Sequence, residues 1–175
     1  MGDVHPLGNP HFSLDPGFAP AITQSILDGL ARVMPQHRGQ LERNRQAFLA
    51  QLDAAMDGWM RTLEPLRGRR VVVFHPQWIY FLTRFGLVQA ATLEDRPGIP
   101  PSPGHLVHVI RLMKADGIKV ILVEPWNDRK LAERVADEAG AKAIVLAPMV
   151  GGVKGIDTYL DTIDYNVRTV ADALR

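Results

Sequence analysis

Apolar residues recur along this chain with two different periods, and the change between them falls near residue 68. Ahead of it, Ile22, Ile26, Leu27, Leu30 and Val33 return at three- and four-residue steps, predicting an amphipathic helix over residues 18–33 that Met34-Pro35 breaks. A longer stripe follows: Leu41, Phe48, Leu52, Met56, Trp59, Leu63 and Leu66. Its steps predict one continuous helix of about six turns over 41–66. Glu42, Arg43, Arg45, Gln46, Gln51, Asp53 and Asp57 form its polar face. Tryptophan and methionine at helical spacing read as core rather than as a cofactor site. Gly68 ends the helix.

Beyond Gly68 the pattern becomes short apolar runs alternating with amphipathic segments. Strands are predicted at 71–74, 87–92, 119–123 and 143–146. Helices are expected at 78–85, from Pro103 with Leu106, Val109, Ile110 and Met113 inward, from Asp128 to Gly140, and over a final segment carrying Tyr159, Leu160, Ile163, Val167 and Val170. Ser102 and Asp128 are suited to N-caps, with Pro103 at the first helical position. Such alternation predicts an α/β fold, a four-stranded parallel sheet flanked by helices and preceded by a long α-helix. The proline-dense 95–103 stretch is a loop. Residues 1–16, with two histidines, three prolines and two glycines, read as irregular backbone.

Length and composition narrow the field. A chain of 175 residues with 46% hydrophobic and 22% charged residues suits one domain, or one with an appendage. A net charge of +1 with scattered Lys and Arg argues against nucleic acid as a partner. The absence of cysteine excludes disulfides, thiolate metal sites and a cysteine nucleophile. The opening residues lack a secretory signal pattern, and no apolar run approaches membrane-span length.

The chemistry collects where the first predicted strand ends. His75 follows Val71-Val72-Val73-Phe74 and precedes Pro76, and ligands of open α/β sheets bind beyond the carboxyl ends of strands. Glu124-Pro125 follows the third strand in the same way, and right-handed crossovers put both residues on one rim. Imidazole and carboxylate together suit a borderline divalent ion. The same residues also read as a buried, hydrogen-bonded histidine and a cap or ion-pair partner. His105 and His108 share a helix face, although Ser102 and His105 are better explained by capping, and His37 reads as surface. The glycines at 151–155 lack the spacing of a phosphate cradle, and no G-x-S-x-G elbow is present.

Several ordered stretches together resemble the solute-binding proteins of metal-ion (zinc and manganese) ABC transporters, the ZnuA/TroA-like cluster. They are Gly8-Asn9-Pro10-His11-Phe12 with Leu14-Asp15-Pro16, Asn44 and Phe48, Phe74-His75, Tyr80-Phe81, Arg84-Phe85-Gly86-Leu87, Ile99-Pro100-Pro101-Ser102-Pro103, His105-Leu106, Val123-Glu124-Pro125, Tyr159 and Asn166. The resemblance runs from about residue 5 to the C-terminus. It implies a periplasmic or otherwise extracytoplasmic receptor of two α/β lobes joined by a long helix, with Zn2+ or Mn2+ held between them for a membrane permease. Residues 1–35 would then be a remnant of the N-terminal lobe, 36–68 the connecting helix and 69–175 the C-terminal metal-binding lobe. His11 and His75 match family ligands.

Departures accompany the match. The N-terminal lobe with its own histidine has no counterpart, and the loop after the fourth strand, Leu146-Ala147-Pro148-Met149-Val150, lacks the usual aspartate. Glu124, His5 or a second chain is expected to complete the ligand set. Surfaces that would face the absent lobe imply a homo-oligomer. The expected function is non-enzymatic metal binding. The alternatives are a metal-dependent hydrolase with Glu124 as its general base, or a metal-free interaction module.

Overall fold

The computed structural model describes residues 8–94, 96 and 98–175. His5 lies outside these. The chain opens with two 3-10 turns, His11–Leu14 and Pro16–Phe18, and then forms α1 (Ala19–Val33) and α2 (Arg38–Leu63). α2 starts three residues before the apolar stripe does. Its predicted last turn tightens into a 3-10 turn over Glu64–Leu66, because Pro65 has no N–H to continue the α-helical ladder. Gly68, at φ +79°, turns the chain into the sheet.

Four parallel strands follow: β1 (Arg70–Val73), β2 (Val88–Thr92), β3 (Val120–Val123) and β4 (Lys142–Val145). They interleave with α3 (Ile79–Arg84), α4 (Pro103–Ala115), α5 (Arg129–Ala139) and α6 (Tyr159–Leu174). The expected caps form: Ser102 accepts from the His105 N–H at 3.2 Å and Asp128 from the Leu131 N–H at 3.0 Å. The helix expected over 78–85 begins at Ile79, and Pro76 sits in the turn before it.

The spatial order is β2-β1-β3-β4, so successive connections leave β1 toward opposite edges. The crevice between the ends of β1 and β3 is therefore the topological switch point, where open α/β sheets bind ligands. Both faces of the sheet are covered. Val71 and Val73 join Trp59, Leu63, Trp78, Phe81, Ile163 and Val167 beneath α2, α3 and α6. Val72 and Phe74 join Val109, Met113, Ile121 and Val135 beneath α4 and α5. Double coverage is why β1 and β3 read as unbroken apolar runs rather than alternating ones. Fully burying one such side chain contributes about 1.5–3 kcal/mol. Among the described residues, no helix is long and apolar enough to cross a membrane.

Candidate metal centre

His75 leaves the end of β1 and lines an open cleft of about 350 Å³ together with His11, Gln77, Glu94, Gly98, Trp126, Asn127, Pro148 and Met149. The loops after β1, β2, β3 and β4 thus all contribute, as the switch-point geometry requires. The His11 and His75 rings stand edge to face with centroids 5.8 Å apart.

His11 belongs to a segment that the sequence pattern leaves irregular, and side chains of the α/β lobe hold it in place. Tyr80 Oη donates to the Asn9 carbonyl at 3.0 Å, and Asn9 Nδ2 donates to the Pro76 carbonyl at 2.8 Å. Arg84 grips Asp15 through two bonds of 2.5 and 3.0 Å, while Tyr159 Oη donates to the Ser13 carbonyl at 2.8 Å. Gly17 leaves the room that Arg84 needs, since a Cβ there would fall 1.9 Å from the guanidinium. The segment is docked, not frayed. Because Asn9 Nδ2 faces a carbonyl, the orientation of its amide is fixed, and Oδ1 is the atom that receives His11 Nδ1 at 2.7 Å. An amide oxygen only accepts, so Nδ1 of His11 carries a proton.

Glu124 is placed differently from a rim ligand. It follows β3 as expected, but it is 1% exposed and is not among the residues lining the cleft. Its Oε1 accepts from Gln77 Nε2 at 2.7 Å and from Trp78 Nε1 at 2.6 Å. Its Oε2 is buried without a hydrogen-bond partner. Burial pushes its pKa up to about 7, against the opposing pull of the Trp78 and Gln77 bonds and of nearby His75. A carboxyl held this way braces the β1 and β3 loops, and it is not presented to the cleft as a general base. Among the described residues, no group of three or more His, Asp or Glu side chains is close enough to hold a metal ion.

The other histidine pair is structural at His105, whose Nε2 lies 2.9 Å from the Thr92 carbonyl and ties α4 to β2. Glu94, absent from the sequence-derived candidates, sits in the cleft with Oε2 2.7 Å from His75 Nδ1. The signal that could have found it is strand register: β1 and β2 pair Val73 with Thr92, which carries His75 alongside Glu94 two residues on.

Comparison with known proteins agrees with this architecture. The family model "Zinc-uptake complex component A periplasmic" matches residues 2–173. The chain is 29% identical over 165 residues to the high-affinity zinc uptake system protein ZnuA of Brucella abortus (strain 2308), covering 94% of this chain and 49% of that one. A crystal structure of ZnuA superimposes with a TM-score of 0.85 at 29% identity, over 96% of this chain and 63% of that one. The solute-binding protein FpvC of Pseudomonas aeruginosa in complex with Mn2+ gives 0.82 at 28% identity, over 95% and 63%. The chain spans about half the length of the curated zinc-uptake relative. With its parallel sheet, its docked His11 segment and its cleft at the switch point, the chain belongs to the zinc-uptake component A (ZnuA) family.

Proposed function

We propose that this chain binds a divalent metal ion, zinc or manganese, as the solute-binding component, or one half of it, of an ABC-type metal importer. The observation that carries this reading is the meeting of His11 and His75 at one cleft, 5.8 Å between ring centroids. Imidazole nitrogens are better ligands for zinc than for manganese, which prefers oxygen. Two protein ligands leave coordination positions to water or to another molecule, so affinity should fall below that of a closed four-ligand site. On this reading Glu124 supports the metal loops from below rather than coordinating. The chain acts as a carrier outside the cytoplasm, delivering its ion to a membrane permease. Residues 36–68 act as a connecting helix and 69–175 as the metal lobe, with 1–35 leading into the helix.

Calorimetric titration of metal-free protein with Zn2+ tests this. Saturable binding is expected, abolished by His75→Ala and weakened by His11→Ala. A wild-type protein without saturable binding of either ion would refute it.

We also infer a homo-oligomer. Phe18 and Ile26 are exposed large apolar side chains that line one open surface pocket with Phe12 and Ile22, and Val33 at the end of α1 is exposed as well. Sedimentation velocity should show concentration-dependent association, and a monomer at all concentrations would count against it.

A further inference from the structure

We propose that Glu94 is a positioning residue for His75, holding its imidazole as the Nδ1–H tautomer so that Nε2 is the atom offered to a metal ion. The inference rests on the metal-binding reading for its consequence, though not for its geometry.

Glu94 is built into the sheet before its side chain acts. Its backbone N–H donates to the Phe74 carbonyl at 3.0 Å, one step beyond the Leu93 bond to Val73 at 2.8 Å, so the β1–β2 ladder continues past its last paired residues. Thr92 Oγ1 donates to the Glu94 carbonyl at 2.6 Å and fixes the other side of the peptide. Register then brings the Glu94 carboxylate beside the His75 ring. Both side chains are mostly buried, at 12% and 15% exposure, so water competes weakly for the contact. The Gly98 N–H, 3.3 Å from the same Oε2, adds a second donor from the 96–102 loop.

The distance decides between two roles. At 2.7 Å, Glu94 Oε2 and His75 Nδ1 face each other across a hydrogen bond, not across a shared ion. A carboxylate can only accept, so His75 Nδ1 carries a proton, and in the neutral imidazole the lone pair is then on Nε2. Without a partner in water, histidine favours the opposite tautomer, with the proton on Nε2. Glu94 therefore removes the form that cannot ligate through Nε2, and the carboxylate makes that nitrogen a stronger donor. Carboxylate–histidine pairs of this kind recur behind metal sites, and losing the outer partner typically weakens metal affinity about 10- to 100-fold.

Two measurements separate this assignment from the metal-binding reading. Nitrogen-15 NMR of metal-free protein reports the His75 tautomer directly. Wild type is expected as Nδ1–H, and Glu94→Ala as mostly Nε2–H. Glu94→Gln keeps an acceptor at the same reach and guards against a folding artefact; it should retain Nδ1–H. Zinc titration should then show a loss of about 10- to 100-fold for Glu94→Ala and a smaller loss for Glu94→Gln. Finding Nε2–H in wild type, or equal zinc affinity in all three proteins, overturns the proposal. If wild type binds no zinc, the carrier reading fails, while the tautomer data alone still uphold or reject the hold of Glu94 on His75.

Discussion

The carboxyl group of Glu124 is held neutral more readily than it would be in water, because burial opposes its charge more strongly than the bonds from Trp78 and Gln77 support it. Its folded pKa of about 7 lies above the ordinary 4.5, so the folded chain binds the proton more tightly than the unfolded chain does. Its contribution to stability is fully present below about pH 4.5 and is lost as pH rises through about 7, amounting to roughly 3 kcal/mol at most. Glu124→Gln should flatten this dependence. Urea midpoints at about pH 5 and about pH 8 would show it, and a slope in the variant as steep as in wild type would refute the assignment. His75 was legible from sequence because a strand end and a following proline mark a rim position. Glu94 was not, because its role depends on the register between two strands, which no local pattern encodes. The depth of Glu124 was equally hidden: an apolar run followed by Glu-Pro locates a strand end but not whether the next side chain turns inward.

Among the elements, the loop after β4 illustrates how a helix can shape a binding edge. Asn166 on α6 is fully buried, accepts from the Ala147 N–H at 2.8 Å and donates to the Ala147 carbonyl at 2.8 Å. That two-point clamp orders Pro148 and Met149, which wall the cleft. Asn166→Ala would strand two buried backbone groups and should cost about 2–4 kcal/mol, read as a lowered denaturation midpoint. A loss below about 0.5 kcal/mol would show that water replaces the clamp. The α6 pattern gave the helix and its inner face correctly. It could not distinguish Asn166 from a polar surface position, since the helix packs against the loop on a face where apolar residues also lie. Strand spans agreed with the pattern to within one residue, most plainly at β1 and β3, where double coverage leaves apolar runs with sharp edges. The first residues of the described chain disagreed most: their order comes from Tyr80, Arg84 and Tyr159, far away in sequence.

At the scale of the whole molecule, those distant anchors make His11 and His75 parts of one body, although they arise on opposite sides of a 26-residue helix. The α/β lobe anchors the His11 segment through Tyr80, Arg84 and Tyr159, and carries His75 itself at the end of β1. The arrangement also sorts the three tryptophans by what surrounds them. Trp59 and Trp78 are buried and donate to carboxylates, Trp59 to Asp164 at 3.1 Å and Trp78 to Glu124. Trp126 is 59% exposed and stands in the wall of the cleft. Red-shifted, quencher-accessible emission should therefore come from the one indole that lines the cleft with the histidines, so that quenching of the unlabelled protein is expected to change when the cleft is occupied.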